Sequence, residues 1–302
     1  MFRISRSMLA GSQPLSLDTD SASSRRRQVL GALAIIAFAA VFAFAALALR
    51  SDETGADTST PAAKQEDAGP ATRPLSPTPT QLRSARLFAG QRLGSISFAV
   101  VDTWGELACY RCRVRYQSAS VIKAMLLVAY LNRLANEDEP LPADHEAYLQ
   151  AMIRVSDNDA ASAVYAHVGD QGLFELSRQA GMADFDVSGS WGSARITAAD
   201  QARFFARIPE LTAPAYRDYV RALLSSVVAR QSWGIPQVSR PDWQTFFKGG
   251  WLTTRRGSLV HQVARLESGT SALTIAILTD GNPSDAYGRE TIRGIASRLL
   301  GG

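Results

Sequence analysis

The sequence predicts an α+β fold in which a five-stranded antiparallel sheet is flanked by helices and interrupted by a helical insertion. Three observations predict it. A strand–turn–strand pattern lies between residues 95 and 116, helical patterns fill 120–230, and after Pro241 three strand patterns and a closing helix follow. Two early strands and three late ones make the sheet, and the helical stretch between them is the insertion.

In chain order, Gln81 to Arg92 reads as a helix. Ser95 to Asp102 reads as a strand, Thr103-Trp104-Gly105-Glu106 as a turn, and Leu107 to Tyr116 as the hairpin partner. Ser120 to Leu134 (SVIKAMLLVAYLNRL) is apolar nearly all round, so this helix is expected at the centre of the domain. Helices are expected over 143–154, 159–168, 171–180, 197–208 and 212–230. Strands are expected over Gln244–Trp251, Ser258–Arg265 and Ser271–Thr279, and a last helix over Ser284–Leu300.

Ahead of this domain (81–302) lie three segments. Residues 1–28 form a basic tail that ends in Arg25-Arg26-Arg27. Val29 to Leu49 is an uncharged apolar run of the length that spans a bilayer as a helix. Basic residues stay on the cytoplasmic side, so the tail is expected inside and the domain outside, anchored by a single pass. A cleaved signal peptide with Ala46-Leu47-Ala48 at the cut, and a twin-arginine export signal, stay open; each also exports the domain. Residues 50–80, rich in Pro, Thr, Ala and Asp, read as a disordered tether.

The formal net charge is +4, and much of it sits in the first fifty residues. No basic stripe with interleaved aromatics remains, which argues against a nucleic-acid partner. Cys109 and Cys112 are spaced CxxC but sit in a strand pattern, where residues three apart face opposite ways, so packing or an incidental role is expected. His145, His167 and His261 show no ligand spacing, so no metal and no cofactor is expected. A monomer is expected.

Lysine is scarce: it occurs only at Lys64, Lys123 and Lys248, and every other basic side chain is arginine. Lysine can lose its proton and act as a compact donor, which arginine cannot. Lys123 belongs to Ser120-Val121-Ile122-Lys123, an S-x-x-K at the opening of the buried helix. Residues three apart share a helix face, so hydroxyl and amine can meet there. An apolar setting penalises the charged amine, and a neutral amine can take the serine proton. Ser156-Asp157-Asn158 falls between two helical segments. Lys248-Gly249-Gly250-Trp251 ends a strand pattern whose glycines let another backbone lie alongside. Each motif alone has an ordinary reading as a cap or a turn.

Together and in this order the motifs resemble the set S-x-x-K, S-D-N, K-T-G of the serine β-lactamase and penicillin-binding-protein superfamily, nearest to class A β-lactamases. The resemblance covers roughly residues 80–300. It implies a serine hydrolase acting on a β-lactam or a D-alanyl cell-wall peptide. It implies Ser120 as the acylated nucleophile, Lys123 as its base or part of it, and Ser156 as the group that passes a proton to the leaving nitrogen. It further implies Asn158 on the acyl amide, Lys248 on the substrate carboxylate beside Gly249 and Gly250, and the backbone N–H groups of Ser120 and Trp251 as the oxyanion hole.

The chain departs from the pattern in three places. The strand motif is K-G-G, so a hydroxyl that would bind the substrate carboxylate is missing. The helical insertion is short, so a trimmed helical subdomain is expected. The E-x-x-L-N loop, whose Glu activates the hydrolytic water, corresponds to Met182–Ser193, and no Glu occurs between Glu175 and Glu210. Asp184 or Asp186 would have to reach that water with a shorter arm, or else both are solvated loop charges. Slow deacylation is the expectation, with a peptidoglycan-binding module that does not turn over as the alternative. Arg255, Arg256 and His261 are expected to be ordinary turn and strand residues.

Overall fold

The computed structural model describes residues 76–302. The expected basic tail, the apolar span and most of the tether lie outside the described residues. Among the described residues no helix is long and apolar enough to cross a membrane.

Helix α1 (Pro79–Gln91) starts two residues ahead of the predicted start. Thr78 Oγ1 accepts the Gln81 N–H, the Gln81 side chain accepts the Thr78 N–H, and Pro79 takes a position that needs no donor. Strand β1 (Ser95–Val101) pairs with β2 (Leu107–Tyr110) as the predicted hairpin.

The second arm of that hairpin is shorter than the sequence pattern suggests. Cys109 and Cys112 form a disulfide that closes a tight turn, with Arg111 in the left-handed region at φ 47°. This corrects the packing or incidental role expected for the pair. Strand alternation does not apply to two cysteines when a turn falls between them. Beyond the turn the chain leaves the sheet, and β3 (Tyr116–Gln117) pairs instead with β4 (Arg195–Ile196).

Helix α2 (Lys123–Asn136) follows a short 3₁₀ turn over Ala119–Ile122. Every residue from Val121 to Leu131 is buried. Burying each large apolar side chain contributes about 2 kcal/mol, so this helix is a main anchor of the core. Helices α3 (Ala143–Arg154) and α4 (Asn158–Gln179) come next, and Gly169 at φ 60° breaks α4 between the two helical patterns read from the sequence. Helix α5 (Ala198–Ala206) and the single turn α6 (Ile208–Leu211) precede α7 (Arg217–Ser225).

The predicted helix over 212–230 is mostly not helical beyond α7. Its tail is tied elsewhere: the Val228 N–H donates to Arg154 O at 3.1 Å and Gln231 Nε2 to Val155 O at 2.9 Å.

Strands β5 (Gln244–Thr254), β6 (Gly257–Ser268) and β7 (Ser271–Asn282) extend past their predicted ends, and α8 (Asp285–Leu300) starts after Ser284, which caps it. The sheet order is β2-β1-β7-β6-β5 and every pairing is antiparallel. Pairing of β1 with β7 joins the early hairpin to the late strands, which gives the predicted five-stranded sheet. Helices α1 and α8 pack together, and α8 and α5 both lie on the sheet. Strand β5 is an edge, and that edge lies against the 3₁₀ turn that carries Ser120.

Candidate active site

Three segments far apart in sequence converge at the edge of β5. A Cβ added at Gly250 would lie 2.9 Å from the Ser120 nitrogen and 3.0 Å from the Val121 nitrogen. The strand therefore passes against the backbone of the serine turn, which only a residue without a side chain allows. Ser120 is partly exposed there, and the preceding Ala119 is left-handed at φ 45°. A non-glycine residue in that region costs about 1 kcal/mol or more and persists where the surrounding fold imposes it.

The side chains close the corner. Lys123 Nζ donates to Ser156 O at 2.7 Å, to Ser156 Oγ at 3.3 Å and to Asn158 Oδ1 at 2.8 Å. Lys248 Nζ donates to Ser156 Oγ at 3.0 Å and to Gly249 O at 2.9 Å. Ser156 itself is left-handed, at φ 62°, a strained conformation that turns it into this corner. Its hydroxyl oxygen accepts from both ammonium groups.

Both lysines are completely buried. Burial lowers the Lys123 pKa to about 8, against an opposing pull from Asp157, so roughly a tenth of it is neutral at pH 7. Lys248 is pushed well below its ordinary value, by burial first and by the charge of Lys123 second.

Gly249 faces the other way from Gly250. A Cβ there would meet the Trp233 ring at 3.2 Å. Trp233 fills the space beside the strand that a side chain at 249 would enter, which accounts in steric terms for glycine at the middle of K-G-G. Trp251 is more than a third exposed, and its ring packs edge-on to Trp233 with centroids 6.3 Å apart.

The loop over 182–193 ends on the segment that leads into Ser120. The Ser118 N–H donates to Ala194 O at 2.7 Å, Ser118 Oγ to Trp191 O at 3.2 Å, and Gln117 Nε2 to Gly192 O at 3.0 Å. These ties place the Trp191 ring 4.9 Å from Lys123 Nζ. Asp184 is engaged by Arg113 at 3.0 Å and Arg115 at 3.7 Å, and Asp186 is exposed. Among the described residues no carboxylate is hydrogen-bonded to Lys123, Ser156 or Asn158.

His261 is a β6 residue, as expected, but it is also a strut. Its Nδ1 accepts the Thr279 N–H at 3.1 Å, so the ring proton sits on Nε2 and is donated to Gln117 O at 3.0 Å. Full burial pushes its pKa down to about 4, against two backbone hydrogen bonds that raise it. Arg256 pairs with Asp280 and is otherwise exposed. Among the described residues no cluster of three His, Cys, Asp or Glu side chains suits a metal ion.

The structure thus brings together Ser120, Lys123, Ser156, Asn158, Lys248, Gly249 and Gly250, with Trp251 at the next position of the strand. Sequence reasoning missed Trp191, Trp233 and the strut at His261. One signal was available for Trp191: it is a lone large aromatic in a Ser/Gly stretch.

The architecture is that of β-lactamases. A β-lactamase from Sphaerobacter thermophilus is 19% identical, with 73% of this chain and 95% of that one covered at a TM-score of 0.64. An ancestral class A β-lactamase is 19% identical over 73% and 99% of the two chains, at 0.62. A β-lactamase from Xanthomonas campestris pv. campestris is 18% identical over 73% and 97%, at 0.61. At such identities the likeness shows the fold. No curated protein matches the sequence.

The family itself is shown by a model described as the β-lactamase enzyme family, which matches residues 140–301, more than half of the chain. The chain belongs to that family of hydrolases. The match includes Ser156, Asn158 and residues 248–251 and begins after Ser120 and Lys123, which stand on the S-x-x-K motif and on the geometry.

Proposed function

We propose that this protein is a serine acyl-hydrolase, acylated at Ser120, that acts on a β-lactam or on a D-alanyl peptide of the cell wall. The observation that carries the reading is the convergence of two buried lysines on the Ser156 hydroxyl, beside a strand edge packed against the Ser120 backbone. The solved neighbours of the same fold are named β-lactamases, which favours the first substrate class.

On this reading the neutral fraction of Lys123 takes the Ser120 proton as the Ser120 oxygen attacks the carbonyl carbon. Backbone N–H groups of Ser120 and Trp251 hold the oxyanion. Ser156 gives its hydroxyl proton to the nitrogen that leaves, and a lysine of the corner replaces it. Asn158 binds the acyl amide, and Lys248 supplies positive charge for the substrate carboxylate. Water then cleaves the ester slowly, because the loop over 182–193 carries no Glu and its Asp184 is engaged by Arg113 and Arg115. An extracytoplasmic setting, with the domain tethered through residues 29–49, is part of the same proposal. The Cys109–Cys112 bond supports it, since such bonds persist in oxidising compartments.

Intact mass after addition of penicillin tests the reading. The expected result is a single adduct that forms within minutes and decays slowly. It should be absent in Ser120→Ala and strongly reduced in Lys123→Arg, which keeps the charge and cannot deprotonate. Fast product release with no persistent adduct rejects slow deacylation. No adduct on the wild-type protein rejects the enzyme and favours a binding module.

A further inference from the structure

We propose that Trp191 is a positioning residue that shields Lys123 and the ester bond, and so sets how long an acyl group stays on Ser120. The inference rests on the reading of Ser120 as the acylated nucleophile, and concerns the fate of the acyl group once attached.

The geometry is specific. Lys123 has three acceptors, Ser156 O, Ser156 Oγ and Asn158 Oδ1, on one side. The indole ring lies 4.9 Å from the same nitrogen, a cation–π distance. Trp191 is held there at several points. Its carbonyl accepts from Ser118 Oγ at 3.2 Å, and its Nε1 donates to Ser162 Oγ on α4 at 3.2 Å. The next residue, Gly192, accepts from Gln117 at 3.0 Å. The ring is thus fixed to the strand segment before Ser120 and to the helix after Asn158.

A water that cleaves an ester on Ser120 has to lose a proton as its oxygen attacks the acyl carbon, while the Ser120 oxygen leaves and takes a proton back. Such a water needs room near Lys123 and an acceptor. On the loop side Trp191 fills the room with an apolar face. The loop's acids are engaged by Arg113 and Arg115 or are exposed. The same cover keeps Lys123 out of water. The charged groups that bear on this amine are Asp157, which favours its protonation, and Lys248, whose ammonium meets it at Ser156.

One substitution should therefore move the two half-reactions in opposite directions. Removing the ring admits water to the ester and also solvates Lys123. The series Trp191→Phe, Trp191→Leu and Trp191→Ala grades the cover. In the full chain, with benzylpenicillin as probe, adduct lifetime by intact mass should shorten in that order, by about tenfold at alanine. The pH midpoint of the labelling rate should rise in the same order, away from about 8. A merely structural role moves neither in a graded way, and the ranking of Phe and Leu stands as the test if the alanine variant does not fold. Labelling with unchanged lifetimes across the series overturns the inference and leaves the acyl-transfer reading intact. Absence of labelling in the wild type overturns both.

Discussion

On one side of Lys123, Ser156 and Asn158 supply three hydrogen-bond acceptors, and Lys248 meets the same serine from the strand. On the other side, the loop over 182–193 brings an indole face and no carboxylate to the amine. The first region is built from strained backbone and buried charge, both costly to maintain. The second is held by backbone ties and carries an apolar ring. The contrast teaches that positioning a nucleophile and activating a water are separable tasks, assigned here to separate segments. On the proposed reading, the chain is furnished for the first task and lacks the usual means for the second.

The largest expected effect breaks the first region by sterics alone. Gly250→Val would place side-chain atoms where even a Cβ comes within 2.9 Å of the Ser120 nitrogen. The strand has to move off the serine turn, and penicillin labelling should fall on the order of 100-fold. Labelling within a factor of about two of wild type would mean that the close approach has no part in the chemistry.

A second experiment sharpens the role of the buried amine. If neutral Lys123 is the base, the labelling rate should climb about tenfold per pH unit below its pKa and level off near pH 8. The sign follows from burial, which favours the uncharged form and brings the rise down from the ordinary value near 10.5. A flat profile between pH 6 and pH 9 would assign the proton transfer elsewhere.

A third experiment leaves the chemistry aside and concerns the stability of the strut shared by both regions. His261 is neutral when folded, with a pKa pushed from 6.5 down to about 4. The unfolded chain binds this proton first, so folding stability should be retained above pH 6.5 and lost as pH falls from about 6.5 to about 4. The loss is on the order of 3 kcal/mol in chemical denaturation. His261→Gln should flatten this part of the pH dependence. An unaltered slope in that variant would remove His261 as its source.

Much of the fold was legible because it depends on local pattern. Short strand patterns bounded by turn residues marked β1 and the three late strands, the all-apolar run marked α2, and Ser284 marked the start of α8. Legibility failed where long-range contacts override local preference. The arm from Leu107 to Tyr116 reads as one strand, yet the Cys109–Cys112 bond turns it and Arg195–Ile196 captures its end. The run over 212–230 reads as one helix, yet its tail bonds to Arg154 and Val155. In the site, Ser120, Lys123, Ser156 and Lys248 stood out by motif and by the scarcity of lysine. Trp191 and Trp233 carried no motif, because what matters about each is the neighbour it meets.

By itself the sequence determined which side chains are available for chemistry: two lysines that keep their titratable amines, serines spaced to reach them, and glycines that leave a strand edge bare. Spacing along a helix or strand is a short-range property, so those assignments needed no partner. Only the tertiary structure decided that Ala119 and Ser156 are left-handed, that Trp233 fills the space beside Gly249, and that an indole covers Lys123. Each of these is set by chain segments distant in sequence that exclude one another from the same volume, and no local pattern encodes that.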